Sequence, residues 1–216
     1  RVGQMEARRA DEYLGRRHGL VGQETTGVGG MAKALRTVPV ILQIARDLLE
    51  LGDHSFGLPL LANFTNPSGL VTQALSQMIP ELTSVGVCNA PITTKMGLLE
   101  GWNRITGQKV TPERAEMDTL GLNHLYWHRG LKIEKDLLRE YADPELNQPP
   151  ADLMKRGGAY YSTVATQLLN AHFNDLGETH VVNTRHGGAV HGWDPDWVLE
   201  MPCRVDRRGI HPLPAE

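Results

Sequence analysis

The segment L-P-L-L-A-N-F-T-N-P-S-G-L-V-T-Q-A-L-S-Q-M-I-P-E-L-T-S-V-G-V-C, Leu58 to Cys88, decides the fold. Leu58 to Phe64 is a short apolar run that reads as a strand. It breaks at Thr65-Asn66-Pro67, because proline removes a backbone donor and pushes the residue before it into an extended conformation. Leu70 to Met78 has helical spacing, and Leu82 to Cys88 is a second apolar strand. A strand, a loop, a helix and a strand in that order predict a parallel α/β sheet.

On the N-terminal side, residues 2 to about 18 alternate charge and apolar positions at helical spacing. The Gly-rich turn G-L-V-G-Q-E-T-T-G-V-G-G (19–30) follows, and its backbone N–H groups suit an anionic or polar ligand. Val38 to Leu51 places Val38, Ile41, Leu42, Ala45, Leu48 and Leu49 on one face of a helix. On the C-terminal side the spacing predicts a helix over 92–105, one strand over 116–127, a charged helix over 132–141 and a helix over 160–173. Strands are expected over 179–183 and 197–205.

The chain has 216 residues, 40% of them hydrophobic, enough for one or two domains with a core. Its net charge of −3 gives no reason to expect nucleic acid or a membrane surface as partner. Two cysteines far apart do not make a secreted disulfide framework, so a reduced, cytoplasmic setting is expected. No apolar run approaches the roughly 20 residues of a membrane span. The N-terminus, R-V-G-Q-M-E-A-R-R, has no signal-peptide apolar region and no initiator Met; the chain is expected to begin mid-protein.

Two residues point to chemistry. Cys88 ends the second strand, and His124 follows at the end of D-T-L-G-L-N-H. A thiolate and an imidazole delivered by separate strand ends can bind one divalent transition metal, and two ligands leave room for substrate oxygens. A buried cysteine more often only packs, and no local C-x-x-C or H-x-x-x-H spacing supports the metal.

Six blocks together resemble glycoside hydrolase family 4, and within it the 6-phospho-β-glucosidases. They are G-Q-E-T-T-G-V-G-G (22–30), N-F-T-N-P-S-G-L-V-T (63–72), G-V-C-N-A-P-I (86–92), G-L-N-H (121–124), R-G-G-A-Y-Y-S (156–162) and V-V-N-T-R-H-G-G-A-V (181–190). The resemblance implies the second half of a Rossmann-like parallel sheet, then an α+β domain like that of lactate and malate dehydrogenases. Residues 1–91 would form the partial NAD-binding domain and residues 92–216 the partial catalytic domain. It implies redox-elimination in place of the usual paired carboxylates. NAD⁺ removes hydride from sugar C3, a base takes the acidified C2 proton, the C1–O bond breaks, water adds and the hydride returns. A divalent metal, usually Mn²⁺, holds the C2 and C3 oxygens. The expected substrate is a phosphorylated disaccharide or aryl 6-phospho-β-glucoside, and the complete protein is expected to be a dimer or tetramer.

The resemblance assigns Cys88 and His124 to the metal and Tyr161 to the base, with Tyr160 as the alternative. A phenol needs a nearby cation to act as a base near neutrality. The family has a lysine for this in the segment that here reads L-G-R-R-H-G, where Arg17 holds the position; arginine keeps the charge but cannot titrate. Asn89 stands where the family's α-type enzymes have an acidic Asp, which favours a β-linked substrate. Arg1, Asn66, Asn183 and Arg185 match substrate-binding positions, and guanidinium suits a sugar phosphate. Glu24, Thr25, Asn63 and Thr65 are weaker candidates for contact with the nicotinamide end of NAD. His128 and His186 match no motif and are expected at the surface.

The chain departs from the family in lacking the G-x-G phosphate loop, in being shorter between Trp127 and Arg156, and in lacking C-terminal helices after Pro214. Weak NAD binding by this chain alone is expected. A 2-hydroxy-acid dehydrogenase of the related fold, or an inactive fragment, is the competing expectation.

Overall fold

The computed structural model describes residues 5–21, 23–52, 59–133, 136–138 and 161–215. Helix α1 (Met5–Arg17) packs on α2 (Gly27–Leu51). Strand β1 (Leu60–Asn63), helix α3 (Ser68–Met78) and strand β2 (Thr83–Gly86) follow. β1 and β2 are parallel, with Leu60 opposite Thr83 and Asn63 opposite Gly86. The parallel α/β unit expected from residues 58–88 is therefore present, although Leu58 itself lies outside the described residues.

Helix α4 (Ala90–Thr106) leads to β3 (Ala115–Leu122), β4 (Leu125–Ile133) and β5 (Asp136–Leu138). Helix α5 (Tyr161–Phe173), β6 (Glu178–Arg185), β7 (Val198–Asp206) and β8 (Gly209–Pro212) complete the described chain. One eight-stranded sheet runs in the order β1-β2-β6-β7-β3-β4-β5, with β8 paired to β7. Apart from β1–β2, its neighbours are antiparallel. No helix among the described residues is long and apolar enough to cross a membrane.

Three apolar clusters hold these layers. Val85, Val87, Val164, Leu168, Val182, Leu199 and Met201 join β2, β6 and β7 to α5. Leu42, Ala45, Val71, Leu75 and Leu82 lock α2 to α3. Leu99 joins α4 to Ala115, Met117, Leu131 and Ile133 of the β3–β4 hairpin. On the other face of β6 and β7 the layer under α3 is polar: Ser68, Thr72, Asn183 and Glu200 are all buried there.

Several expectations are corrected. The single strand over 116–127 is two strands joined by a two-residue turn, since Leu122 pairs with Leu125. His124 takes the left-handed conformation (φ 65°) in that turn, a region where Asn, Asp and His are enriched among non-glycine residues. Where residues of the expected charged helix over 132–141 are described (132, 133 and 136–138), they form strands. Lys132 and Ile133 end β4, and Leu137 pairs with Lys132 across the sheet. Long-range pairing of alternating Leu131 and Ile133 overrides the helical preference of Lys and Glu. Residues 134, 135 and 139–141 lie outside the described residues. Helix α2 begins already at Gly27 and carries Pro39 inside it. Gly29 and Gly30 allow this start, since a Cβ on either would strike the backbone of Gln23 or Thr25. His186 is buried, with Nε2 2.7 Å from the Asp194 carbonyl, and His128 is half-buried with Nδ1 2.8 Å from Thr119 Oγ1.

Burial lowers the His128 pKa to about 4. The folded chain then refuses a proton that the unfolded chain takes near pH 6.5. This contribution to stability is whole above pH 6.5 and is lost as pH falls toward 4. His128→Asn keeps an acceptor for Thr119 without the titration. In urea unfolding, the wild type is expected to lose more stability than His128→Asn between pH 7 and pH 4.5; equal losses would refute this role.

Candidate metal centre

The exits of β1 and β2 lie side by side. The Val87 N–H donates to the Asn63 carbonyl (2.8 Å), which ties the loop after β1 to the residues leading to Cys88. Asn63 is buried and folds its amide over that loop: Oδ1 accepts from the Thr65 N–H at 3.0 Å, and Nδ2 donates to the Thr65 carbonyl at 3.3 Å. The Asn66–Pro67 peptide that follows is cis.

Cys88 lies beyond the end of β2, just before α4, and is 2% exposed. The backbone N–H groups of Asn89 and Ala90 and the amide of Asn123 face its thiol. Burial, then the neighbouring Glu200, outweigh these donors and push the thiol up to about 11. His124 comes from the opposite side, on the β3–β4 turn. Its Nε2 lies 3.2 Å from Cys88 Sγ. The residue keeps an open outer face, yet enough protein surrounds the ring to lower its pKa, while Glu24 pulls the other way.

This spacing fits a shared ion. Donors held at about 2.3 Å (sulfur) and 2.1 Å (nitrogen) from one metal stand about 3.1 Å apart at a right angle and about 3.6 Å at a tetrahedral angle. Among the described residues no group of three His, Cys, Asp or Glu could hold a metal, so the remaining positions would fall to oxygens from outside the chain.

A charged network borders the pair. Asn66 Nδ2 donates to Glu24 Oε1 at 3.4 Å, while Glu24 Oε2 meets Lys33 Nζ and Arg8 Nε at 3.1 Å each. Burial alone would raise Glu24, but Lys33 and Arg8 prevail and its pKa is lowered. Arg36 pairs with Asp11, fastening α2 to α1 beneath this turn. Thr25 is half-buried in the same turn. Asn89 is half-buried at the N-cap of α4. A cavity of about 490 Å³ runs from Cys88 between α4, β3, α5 and β6; Val164 in the first turn of α5 lines it.

Two family models match this chain: Family 4 glycosyl hydrolase over residues 1–103, and the Family 4 glycosyl hydrolase C-terminal domain over residues 131–216. The chain belongs to glycosyl hydrolase family 4. It is 31% identical to a 6-phospho-beta-glucosidase of Escherichia coli, over 99% of this chain and 63% of the relative. Among solved structures it resembles the 6-phospho-beta glucosidase of Thermotoga maritima with manganese, NAD⁺ and glucose-6-phosphate. That match has a TM-score of 0.79 and 26% identity, and covers 100% of this chain and 64% of the other. Malate dehydrogenase of Cryptosporidium parvum shares the fold (TM-score 0.59, 15% identity, 84% of this chain and 62% of the other). The chain thus spans less than two thirds of the length of these family 4 relatives.

Of the residues expected at a family 4 site, the structure gathers Cys88, His124, Asn63, Thr65, Asn66, Glu24 and Asn89 around the ends of β1 and β2. Asn183 lies behind them, fully buried, donating to Glu200 Oε1 (3.1 Å) and the Gly86 carbonyl (3.4 Å). Arg185 stands further along β6 in an exposed ion pair with Asp196 (3.3 Å). Arg17 ends α1 and is exposed. Tyr161 is the first residue of α5; its side chain, Tyr160 and Arg1 lie outside what is described. Sequence reasoning missed Glu200, Asn123 and Tyr126. Glu200 is the charge inside the apolar run V-L-E-M-P-C (198–203), a signal that was there to find. Asn123 stands in the quoted G-L-N-H block. Burial, then Glu200 and Cys88, raise the Tyr126 phenol above its ordinary range.

A metal must displace the Cys88 proton to bind. Since that thiol stays protonated up to about pH 11, Mn²⁺ affinity is expected to rise about tenfold per pH unit above neutrality, with about one proton released per ion. Calorimetry in buffers of different ionisation enthalpy reads the proton. Cys88→Ser is expected to abolish binding; binding without proton release would refute the thiolate as ligand.

Proposed function

We propose that this chain carries the catalytic centre of a 6-phospho-β-glucosidase acting with NAD and a divalent metal. The observation that supports it most is the meeting of Cys88 Sγ and His124 Nε2 at 3.2 Å, from strands far apart in sequence, with the remaining ligand positions left open. The related Thermotoga structure holding manganese, NAD⁺ and glucose-6-phosphate supports the choice of cofactors and sugar phosphate.

When bound, NAD supplies the hydride acceptor and donor for sugar C3, and the metal supplies Lewis-acid polarisation at the C2 and C3 oxygens. Manganese prefers oxygen to sulfur, so a donor set of one thiolate and one imidazole is completed best by hard oxygens such as sugar hydroxyls. Cys88 and His124 hold the metal. Tyr161 removes the C2 proton, with Arg17 as the cation that favours its phenolate. Asn66, fixed by Glu24, and Asn89 orient the sugar. Asn63 and Thr65 shape the loop where the nicotinamide end would lie, with Glu24 and Thr25 across from it. Asn183 acts from behind, while Arg1 and Arg185 provide guanidinium for the phosphate. Asn89 cannot donate the proton that an acid would, which favours the β-linkage. The complete protein is read as a cytoplasmic homo-oligomer.

The test is release of p-nitrophenol from its 6-phospho-β-glucoside. Release is expected to need both NAD⁺ and Mn²⁺ and to stop with EDTA. Tyr161→Phe is expected to lower kcat on the order of 10²–10⁴-fold, with Tyr160→Phe near wild type. Turnover in EDTA, or an active Tyr161→Phe enzyme beside an inactive Tyr160→Phe one, would refute the assignment.

A further inference from the structure

A buried acidic residue lies on β7, behind the Cys88–His124 pair. Glu200 is wholly buried in the middle of β7, where a carboxylate is costly unless its bonds are well used. Its Oε1 accepts from Asn123 Nδ2 (3.2 Å) and Asn183 Nδ2 (3.1 Å), and the backbone N–H of His124 faces the same carboxylate. Gly121, opposite Glu200 in the sheet, brings the turn over it. The Asn123 amide also faces the Cys88 thiol. One carboxylate therefore holds Asn123 of the turn, faces the backbone of His124, and through Asn123 reaches the sulfur as well. A non-glycine residue persists in the left-handed region where its surroundings over-determine it, and His124 is held there.

We propose that Glu200 is the positioning residue of this centre: its carboxylate clamps the Asn123–His124 turn so that the imidazole meets Cys88. The inference rests on the metal reading given under Proposed function, though the clamp itself is a property of the chain. Glu200 Oε2 and the Oδ1 atoms of Asn123 and Asn183 make no hydrogen bond among the described residues. Glutamine at 200 would keep the Oε1 acceptor for both amides and replace the unpartnered Oε2 by an amide nitrogen. Alanine would remove the clamp.

The experiment compares the 216-residue wild-type chain with Glu200→Gln, Glu200→Ala and Asn123→Ala. Free Mn²⁺ is followed by its EPR signal, and thermal unfolding monitors the fold. Glu200→Ala is expected to weaken Mn²⁺ binding about 10–100-fold, and Glu200→Gln to stay within about threefold of wild type. A generally weakened fold would not be rescued by the amide in this way. If Glu200→Ala does not fold, Asn123→Ala, which leaves β7 intact, is expected to weaken Mn²⁺ binding at least about tenfold. Without metal, the His124 Cε1–H NMR resonance is expected to move in Glu200→Ala and Asn123→Ala and to stay in Glu200→Gln. Alanine variants that bind Mn²⁺ like wild type with an unmoved resonance would overturn the proposal, as would Glu200→Gln losing as much as Glu200→Ala. A wild type that binds no Mn²⁺, with the resonance moving as expected, would sink the metal reading and leave the clamp standing.

Discussion

The two-residue turn between β3 and β4 is the constraint on which the site depends. Pairing of Leu122 with Leu125 leaves only Asn123 and His124 to reverse the chain. Gly121 sets where that reversal occurs. A Cβ there would lie 2.5 Å from Tyr126 Cα, so only glycine lets the two strands close beneath the turn. Gly121 also pairs with Glu200, which fixes the turn relative to β7. Sheet hydrogen bonds then carry the register from β7 through β6 to β2, whose exit delivers Cys88. Residues 88, 124 and 200 meet because one sheet holds all three.

The electrostatics of that meeting point one way. Burial raises the Cys88 thiol to about 11, lowers His124 and raises Glu200 to about 7. Each shift moves the group toward its neutral form, as expected where charges lose solvent without a partner. A bound cation reverses the balance for the thiol and gives the imidazole lone pair a partner. The outer face of His124 stays open, so an ion there could still meet ligands from solvent. Next to this neutral core, Glu24, Lys33, Arg8, Arg36 and Asp11 form a shell of compensated charge that holds the loop bearing Asn66.

Much of this was legible in the chain. The apolar run, the Asn-Pro break and the second run in residues 58–88 gave the parallel unit, because those signals are local. The spacing of Cys88 and His124 suggested a metal only weakly, since nothing local told where the two strand ends would meet. The helix expected over 132–141 failed for a related reason. L-K-I-E-K-D-L-L suits a helix by propensity, and only the neighbouring strand decides otherwise. Glu200 was overlooked although a lone charge in V-L-E-M-P-C violates the pattern of a buried strand. Such violations are expected where function constrains a core position. His186 looked like surface by lack of motif, yet its ring closes the loop after β6 from inside.

The shortening relative to the family can be reconciled with an intact centre. Alignment to the Escherichia coli relative extends over 291 positions against a chain of 216, so that relative has residues within the aligned span that this chain lacks. The residues that form the centre come from the exits of β1 and β2, the β3–β4 turn, β6 and β7. These elements are joined to one another by pairings among the described strands. Their apolar support is α5 on one face; α3, backed by α2, covers the other over the buried polar layer, and α4 braces the hairpin. A deletion outside these strands and helices removes surface or partner contacts without breaking a hydrogen bond that places Cys88, His124 or Glu200. Geometry at the Cys88–His124 pair is therefore separable from length, and enclosure of the site is the property that a shorter chain would change first.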